Sequence, residues 1–478
     1  MGKLKYLTKN IALFSISNFV SKILVFLLVP FYTNVLTTYE YGVADVIQVT
    51  LLLLVPMITV NIGEAALRFG VEEHENRNGI YSVGIKYVIR AIVIVTFACF
   101  ALRGAIAFLP FIQGSKVDEI KWYFILFIFL FAANALYEFL VLYFQGCELV
   151  ETVVIGSITC TAATIAFNLI FLLGIKIGLN GYVFSQILAY AIASAIMIFY
   201  GRSKVDSGDK SASLDIENRM LEYSRPMVVY STASWVNNAV DRYFVLYMCG
   251  AAVNGVYGVA YKIPAILMVF QRIFAQAWQM SATKAHKDSD SEDFFTGMYK
   301  IYNSFMVIGC AFLILIVKPL AHFLFRKDFY DAWKYVPPLL ISVIFGALTG
   351  FLGSICLAHK DSKSMGRATG IGALVNVVLN ALLIPMFSAM GAAVATAVSY
   401  FTMCTMAVVF VKRHVNIRVG FFRNYISYAL LILESLIMIM EVPYHYVICA
   451  FISVILVLIY CGDFKEIILV IKQKITRA

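Results

Sequence analysis

Apolar runs of about 20 residues, the length that crosses a bilayer as a helix, recur along the whole chain. The first begins near residue 11 and the last ends near residue 460. The longest polar stretch, roughly residues 201 to 224, is too short to fold alone. The pattern predicts an all-α integral membrane protein with about fourteen transmembrane helices. Their centres lie near residues 22, 54, 96, 132, 164, 190, 236, 267, 308, 346, 376, 400, 431 and 451.

Composition agrees with a membrane protein. Hydrophobic residues make up 61% of the 478 and charged residues 14%, against about 45–50% and about 25% in soluble domains. The nine cysteines are scattered along apolar segments without metal-type spacing. We therefore interpret them as packing residues, and we predict no metal site and no cofactor.

The distribution of basic residues predicts the orientation. Loops on the side of the N-terminus carry 25 Lys and Arg, and the opposite loops carry 7. Because basic loops stay in the cytoplasm, we expect both termini there. The net charge of +10 then reflects topology, and no nucleic-acid partner is expected. The apolar stretch after MGKLKYLTKN has no small-residue cleavage site, which predicts a retained first span.

An internal repeat predicts the domain organisation. Tyr41-Gly42-Val43-Ala44 recurs as Tyr257-Gly258-Val259-Ala260, which aligns spans one and two with spans seven and eight. Six helices per copy would make two lobes related by a pseudo-twofold axis along the membrane normal, with a cavity between them. The predicted parts are an N-terminal six-helix lobe (1–200), a cytoplasmic inter-lobe loop (201–221), a C-terminal six-helix lobe (222–411), and helices 13 and 14 with a cytoplasmic tail (412–478).

Several predicted spans carry charges, which hydrocarbon penalises by about 2.5–3.5 kcal/mol each at a helix centre. Helical spacing places them on polar stripes that should face protein or water. We expect Asp241 to orient a cation such as Lys22, and Arg242 to point into the cavity. Structural ion pairs and snorkelling side chains are the alternative. The stripe residues are Asn18 and Lys22 in span one, Asn238, Asp241 and Arg242 in span seven, and Arg272 and Gln276 in span eight.

Glu138 shares one face of span four with Asn134. It is either a helix-packing residue or a site for a proton or a coupling ion. The cations still outnumber such carboxylates inside the spans, and this surplus suits an anionic cargo. Arg binds phosphate oxygens through a planar fork, so a diphosphate on a lipid carrier fits the predicted cavity.

Six stretches, in this order, carry a family resemblance: NFVSKILVFLLVPFYTNVLTTYEYGVADV, ALRFGVEE, YFQGCELVETVVIGS, NNAVDRYFV, GVYGVAYKIP and IFAQAWQMSATK. Over roughly residues 8 to 412 the chain resembles the polysaccharide-exporter flippases of the multidrug/oligosaccharidyl-lipid/polysaccharide superfamily, which export O-antigen, capsule or exopolysaccharide repeat units. The resemblance implies an alternating-access carrier of the bacterial inner membrane. Its cargo would be an undecaprenyl-diphosphate-linked oligosaccharide, moved from the cytoplasmic to the outer leaflet.

The resemblance also implies the residues and partners involved. Cations of spans one, two, seven and eight would line the cavity. The polar and acidic residues identified above by their helical spacing would support them; these are Asn18, Asn238, Asp241, Gln276 and Glu138. By position these cations are Lys22, Arg68, Arg242 and Arg272. The expected partners are the lipid-linked substrate, membrane lipid, and a polysaccharide polymerase with other assembly proteins. A proton, a sodium ion or the membrane potential could drive the cycle.

Two other functions compete with export of a lipid-linked sugar. An ion-coupled multidrug exporter of the same superfamily should be dominated by intramembrane carboxylates, whereas here the cations are in excess. A membrane polysaccharide polymerase or ligase should have a large outer loop with the reacting groups, whereas here the outer loops are short. We therefore predict a carrier without catalytic residues.

Overall fold

The computed structural model of the chain describes residues 26–72, 76–106, 115–205, 214–285, 291–359 and 361–475. Every regular element in these ranges is helical, with seventeen α-helices, one π-helical segment and one 3-10 segment. The predicted all-α class is confirmed. The described residues form two compact units that divide between Trp235 and Val236. The predicted lobe boundaries and the pseudo-twofold axis stay predictions.

The N-terminal unit contains the first seven helices and most of the eighth. They are α1 (Val29–Val35), α2 (Thr38–Ile58), α3 (Ile62–Glu72), α4 (Arg77–Ile106), α5 (Ser115–Gly146), α6 (Val150–Asn168), α7 (Gly178–Arg202) and α8 (Leu214–Cys249), with a π-helical segment at Leu169–Gly174. Helix α5 packs against α3, α4 and α7, and α7 packs against α6. The unit is therefore organised around α5.

A capping box begins α2. The Thr37 hydroxyl accepts a hydrogen bond from the backbone N–H of Glu40, and the Glu40 carboxylate accepts one from the backbone N–H of Thr37. These bonds satisfy N–H groups that have no partner inside the helix. Glu40 also accepts a bond from the backbone N–H of Leu179 at the start of α7. The cap thus ties α2 to α7.

The second predicted span is interrupted between α2 and α3. Val60 and Asn61 have φ values of 57° and 54°, the left-handed region that a β-branched residue such as valine rarely adopts. The interruption follows Pro56, which lies inside the last turns of α2. Polar residues at this break line a cavity described below.

The C-terminal unit begins within α8 and contains the remaining nine helices. They are α9 (Ala251–Ala260), α10 (Pro264–Ala285), α11 (Ser291–Leu315), α12 (Val317–Leu324), α13 (Val336–Ala358), α14 (Ser362–Phe387), α15 (Ala389–Val411), α16 (Phe421–Ile439) and α17 (His445–Ile475), with a 3-10 segment at Lys327–Tyr335. Helix α13 is largely buried and packs against α10, α11 and α15. The last two helices, α16 and α17, pack against each other and against α11.

Among the described residues, eleven helices are long and apolar enough to cross a membrane, and α9 with α10 makes a twelfth candidate bent by 48°. These match twelve of the predicted spans. The seventh predicted span is α8, whose polar residues set it apart from the others. Only the end of the first predicted span, with α1 at Val29–Val35, lies within the described residues.

Candidate functional site

The side chain of Asp241 is the centre of a polar cluster inside the C-terminal unit. It is 2% exposed. The hydroxyls of Tyr257 and Tyr261 donate hydrogen bonds to its Oδ2 atom at 2.5 and 2.6 Å. The backbone N–H of Arg242 donates to Oδ1 at 2.9 Å. The hydroxyl of Thr396 in α15 adds a longer contact of 3.4 Å. Both carboxylate oxygens are thereby satisfied, which a buried carboxylate requires.

The two tyrosines reach one carboxylate because they are four residues apart. Tyr257 lies in α9 and Tyr261 follows its last residue, so they share one face of the helix. Their rings meet edge to face with centroids 5.4 Å apart, and their hydroxyl oxygens are 3.0 Å apart. In the sequence, Tyr257 stands out only as part of the repeat, and neither tyrosine was predicted as a partner of Asp241. Their spacing of four residues was the signal that could have identified them.

The guanidinium of Arg242 lies against the same tyrosines. Its Cζ atom is 4.1 Å from the Tyr261 ring centroid and 5.9 Å from that of Tyr257. A guanidinium over an aromatic face is attracted by the ring quadrupole. The side chain is 7% exposed. Asp241 and Arg242, adjacent in sequence, are therefore both held by one pair of tyrosines.

The predicted contact between Asp241 and Lys22 stays a prediction, because Lys22 and Asn18 lie outside the described residues. Asn238, one turn before Arg242, is exposed, and its Oδ1 accepts a hydrogen bond of 2.5 Å from the Tyr400 hydroxyl. The structure thus extends the polar face of α8 by one turn.

Two more of the predicted cations are exposed. Arg272 in α10 makes no hydrogen bond or ion pair with the described residues; the side chain of Gln276, one turn further on, is not described. Arg68 in α3 pairs with Glu72 at 3.1 Å, and its Cζ lies 4.5 Å from the Tyr223 ring centroid. Their predicted contact with cargo stays a prediction.

Glu138 lies in a different place, in a cavity of about 270 Å³ inside the N-terminal unit. Asn134, one turn before it in α5, lines the same cavity, as the spacing predicted. Glu64 of α3 also lines the cavity, an association that was not predicted from the sequence. The other polar lining residues are Gln48, Thr59, Asn61 and Tyr190.

Comparison with known protein families decides which family this chain belongs to. A family model described as "Polysaccharide biosynthesis protein" matches residues 7–283, more than half of the chain. The chain belongs to this family. The resemblance noted in the sequence is thereby confirmed.

Two relatives match part of the chain at low sequence identity. The chain is 26% identical over 229 residues to the probable low-salt glycan biosynthesis flippase Agl15 of Haloferax volcanii, a match to 45% of this chain and 47% of that protein. It is 24% identical over 268 residues to the uncharacterized membrane protein MJ1375 of Methanocaldococcus jannaschii, a match to 52% and 62%. The matches thus span about half of the length of these relatives.

Solved structures share the fold over most of the chain. The lipid II flippase MurJ in an inward closed conformation superposes with a TM-score of 0.69 at 15% identity, over 96% of this chain and 100% of that one. An inward-facing multidrug resistance transporter of the MATE family superposes with a TM-score of 0.70 at 12% identity, over 82% and 94%. The protein therefore has the multi-span all-α fold that MurJ and the MATE transporter share.

Proposed function

We propose that the protein is a flippase for an undecaprenyl-diphosphate-linked oligosaccharide, the repeat unit of a surface polysaccharide. It would move this lipid from the cytoplasmic to the outer leaflet by alternating access. Membership of the polysaccharide biosynthesis family supports the cargo class. The observation that carries the proposal is the position of Arg242 in the long helix α8, with its guanidinium held against two tyrosines.

The chemistry of the diphosphate favours such a group. A guanidinium has a planar array of donors that matches two phosphate oxygens at once, and it keeps its charge at every physiological pH. A guanidinium already held over an aromatic ring loses less conformational freedom on binding than a free side chain does. In this proposal Arg242, Arg272, Arg68 and Lys22 hold the diphosphate.

The tyrosines would have a positioning role. Because Tyr257 and Tyr261 satisfy Asp241 with their hydroxyls, the carboxylate is fixed at one end of the cluster while the guanidinium lies on the ring face. Asn238 and its partner Tyr400 would offer neutral donors and acceptors to the adjoining sugar.

The proposed location is a bacterial inner membrane, with both termini in the cytoplasm. The excess of basic residues in loops on the N-terminal side supports this orientation. The prenyl tail would stay in the bilayer while the charged head crosses. A polysaccharide polymerase on the far side would consume the flipped product.

A multidrug exporter is the alternative, because MATE transporters have the same fold. Fold alone does not decide between the two cargoes. The family match favours the sugar lipid, as does the relative named a glycan biosynthesis flippase. The same matches favour a carrier over a polymerase or ligase.

A deletion strain tests the proposal. Loss of the gene should leave lipid-linked oligosaccharide on the inner leaflet and remove the surface glycan, and the wild-type gene should restore it. A gene that carries Arg90→Ala, the matched control, should also restore it. Arg90 is exposed, and its Nη1 atom lies 3.9 Å from Oε1 of Glu217. Normal surface glycan in the deletion strain, with altered drug resistance, would reject the sugar lipid and support the exporter.

A further inference from the structure

Two carboxylates line the cavity in the N-terminal unit. Glu64 and Glu138 both line it, and the charge of Glu64 acts on Glu138. No Lys, Arg or His from the described part of the chain belongs to its lining. The basic residue closest in sequence to Glu64 is Arg68, one turn further along α3, and it pairs with Glu72 instead.

The other titratable neighbours in the described part of the chain do not balance this charge. Besides Glu64, the described groups that interact electrostatically with Glu138 are Tyr137, Tyr190 and Cys160. All three are acids, so none becomes a cation at any pH. Two carboxylates in a partly enclosed apolar surrounding repel each other unless a cation or a proton is present.

Uncharged side chains point to a ligand independently of the carboxylates. Asn134 is 8% exposed and lines the cavity, yet its amide makes no hydrogen bond with the described residues. The Nε2 atom of Gln48, also in the lining, is buried without a partner among these residues. Buried amides are normally satisfied, and a side-chain amide can present either its oxygen or its NH2 group. Two unsatisfied amides beside two carboxylates are suited to a bound ion with its hydration.

The local backbone is also of the type found at ion sites in transporters. The cavity lies at the interruption between α2 and α3, where Thr59 and Asn61 contribute to the lining. Discontinuous membrane helices often form substrate and ion sites because their ends expose polar backbone groups. Oxygen donors from carboxylate, amide and hydroxyl groups are those that small hard cations prefer.

We propose that Glu64 and Glu138, with the amides of Asn134 and Gln48, form a site for a monovalent cation, either a proton shared by the carboxylates or a sodium ion. All four residues of this site belong to the N-terminal unit, whereas Asp241 and Arg242 belong to the C-terminal unit. Its occupancy does not depend on the cargo. The part of the proposal that rests on the proposed function is that the bound cation drives the transport cycle.

The test uses the purified full chain in lipid nanodiscs without cargo. Thermal unfolding is followed in sodium chloride and in choline chloride at equal ionic strength, and then across mildly acidic to mildly alkaline pH. A ligand that binds only the folded protein raises the melting temperature. The variants are Glu64→Gln, Glu138→Gln, the double substitution and Asn134→Ala. Glu72→Gln, on the same helix but outside the cavity, is the matched control.

A sodium site predicts a sodium-dependent rise in the melting temperature for wild type and Glu72→Gln. The rise should be lost in Glu64→Gln and Glu138→Gln and weakened in Asn134→Ala, which keeps both charges. A proton site predicts no effect of sodium but a loss of stability as pH rises, absent from the double variant. Size-exclusion profiles identify any variant that fails to fold, in which case Asn134→Ala carries the test.

Three results would overturn the proposal. They are no response of the wild type to sodium or pH, a response that persists in the double variant, and stabilisation by calcium but not by sodium. Arg242→Ala should keep the cation response while it loses export. If the deletion strain exports glycan normally but the cation response follows Glu64 and Glu138, the proposed function fails and the site stands.

Discussion

The hydroxyl of Tyr257 donates a hydrogen bond of 2.5 Å to Oδ2 of Asp241, sixteen positions earlier in the chain. Both side chains are almost completely buried. The bond joins α8 to α9 at a buried position, where an unpaired carboxylate oxygen is costly.

Removal of this hydroxyl should destabilise the protein. Tyr257→Phe keeps the ring but leaves a buried carboxylate with one donor fewer, which costs about 1–3 kcal/mol. Thermal unfolding in detergent measures the change. Tyr247→Phe, at a position that is 89% exposed, should melt like wild type. Equal melting temperatures for both variants would mean that the bond contributes nothing to stability.

Arg242 should be essential for export through its charge and its shape. Arg242→Ala would remove the proposed charge-assisted contact to phosphate, so binding of the cargo should fall by about tenfold or more. Arg242→Lys keeps the charge but loses the planar fork, so an intermediate export rate is expected. Surface glycan in the complemented deletion strain is the readout. Full export by Arg242→Ala would remove this residue from the proposed site.

Substitution of Arg272 should reduce export with little effect on stability. Its side chain is exposed and makes no hydrogen bond or ion pair with the described residues, so Arg272→Ala should change the free energy of unfolding by less than about 0.5 kcal/mol. Export should nevertheless fall, because the proposed phosphate contact is lost. A variant that exports normally, or one that loses export only because it is unstable, would contradict this role.

Protonation of Asp361 should reduce the stability of the folded protein at low pH. Hydrogen bonds from His414 and from the backbone N–H of Ser364 hold the pKa of this carboxyl well below its usual range. A depressed pKa means that the stabilisation is complete above the unfolded value of about 3.9 and is lost as pH falls below it. Wild type should therefore approach Asp361→Asn in melting temperature as pH decreases toward about 3.

The control for this pH series is Asp118→Asn, because the Asp118 side chain is 87% exposed. Its difference from wild type should stay small throughout. Parallel pH profiles for wild type and Asp361→Asn would show that the bond between Asp361 and His414 does not stabilise the folded state.

Gly391 should not tolerate a side chain. A Cβ atom there would collide with the backbone carbonyl of Leu383, where α15 approaches α14. Overpacking of this kind costs about 1–3 kcal/mol. At Gly370, also in α14, a Cβ atom would meet nothing within 4 Å. Melting temperatures should fall for Gly391→Ala and stay near wild type for Gly370→Ala, and the reverse order would contradict the packing argument.

Much of the fold follows from hydropathy. Long apolar runs must be helical in a bilayer because only a helix satisfies its own backbone there, and the described helices lie where the runs predict them. Spacing within one helix was equally informative, since Asn134 and Glu138 line one cavity as their interval of four predicts.

Contacts between helices were not predictable in the same way. The partners of Asp241 lie 16 and 20 positions away, and the association of Glu64 with Glu138 depends on how α3 packs against α5. Periodicity gives the face of a helix but not its neighbour. The expectation that Asp241 orients a cation such as Lys22 rested on charge and on the repeat, and neither indicates hydroxyl donors that carry no charge.

The turn at Val60 and Asn61 is firmly bonded despite its unusual backbone. The backbone N–H groups of Val60, Asn61 and Ile62 donate to Met57, Pro56 and Thr59 respectively. A branched side chain at positive φ persists only where the surroundings enforce it. This turn is therefore rigid and is not a hinge. Any motion of α2 during transport should move the first turn of α3 together with it.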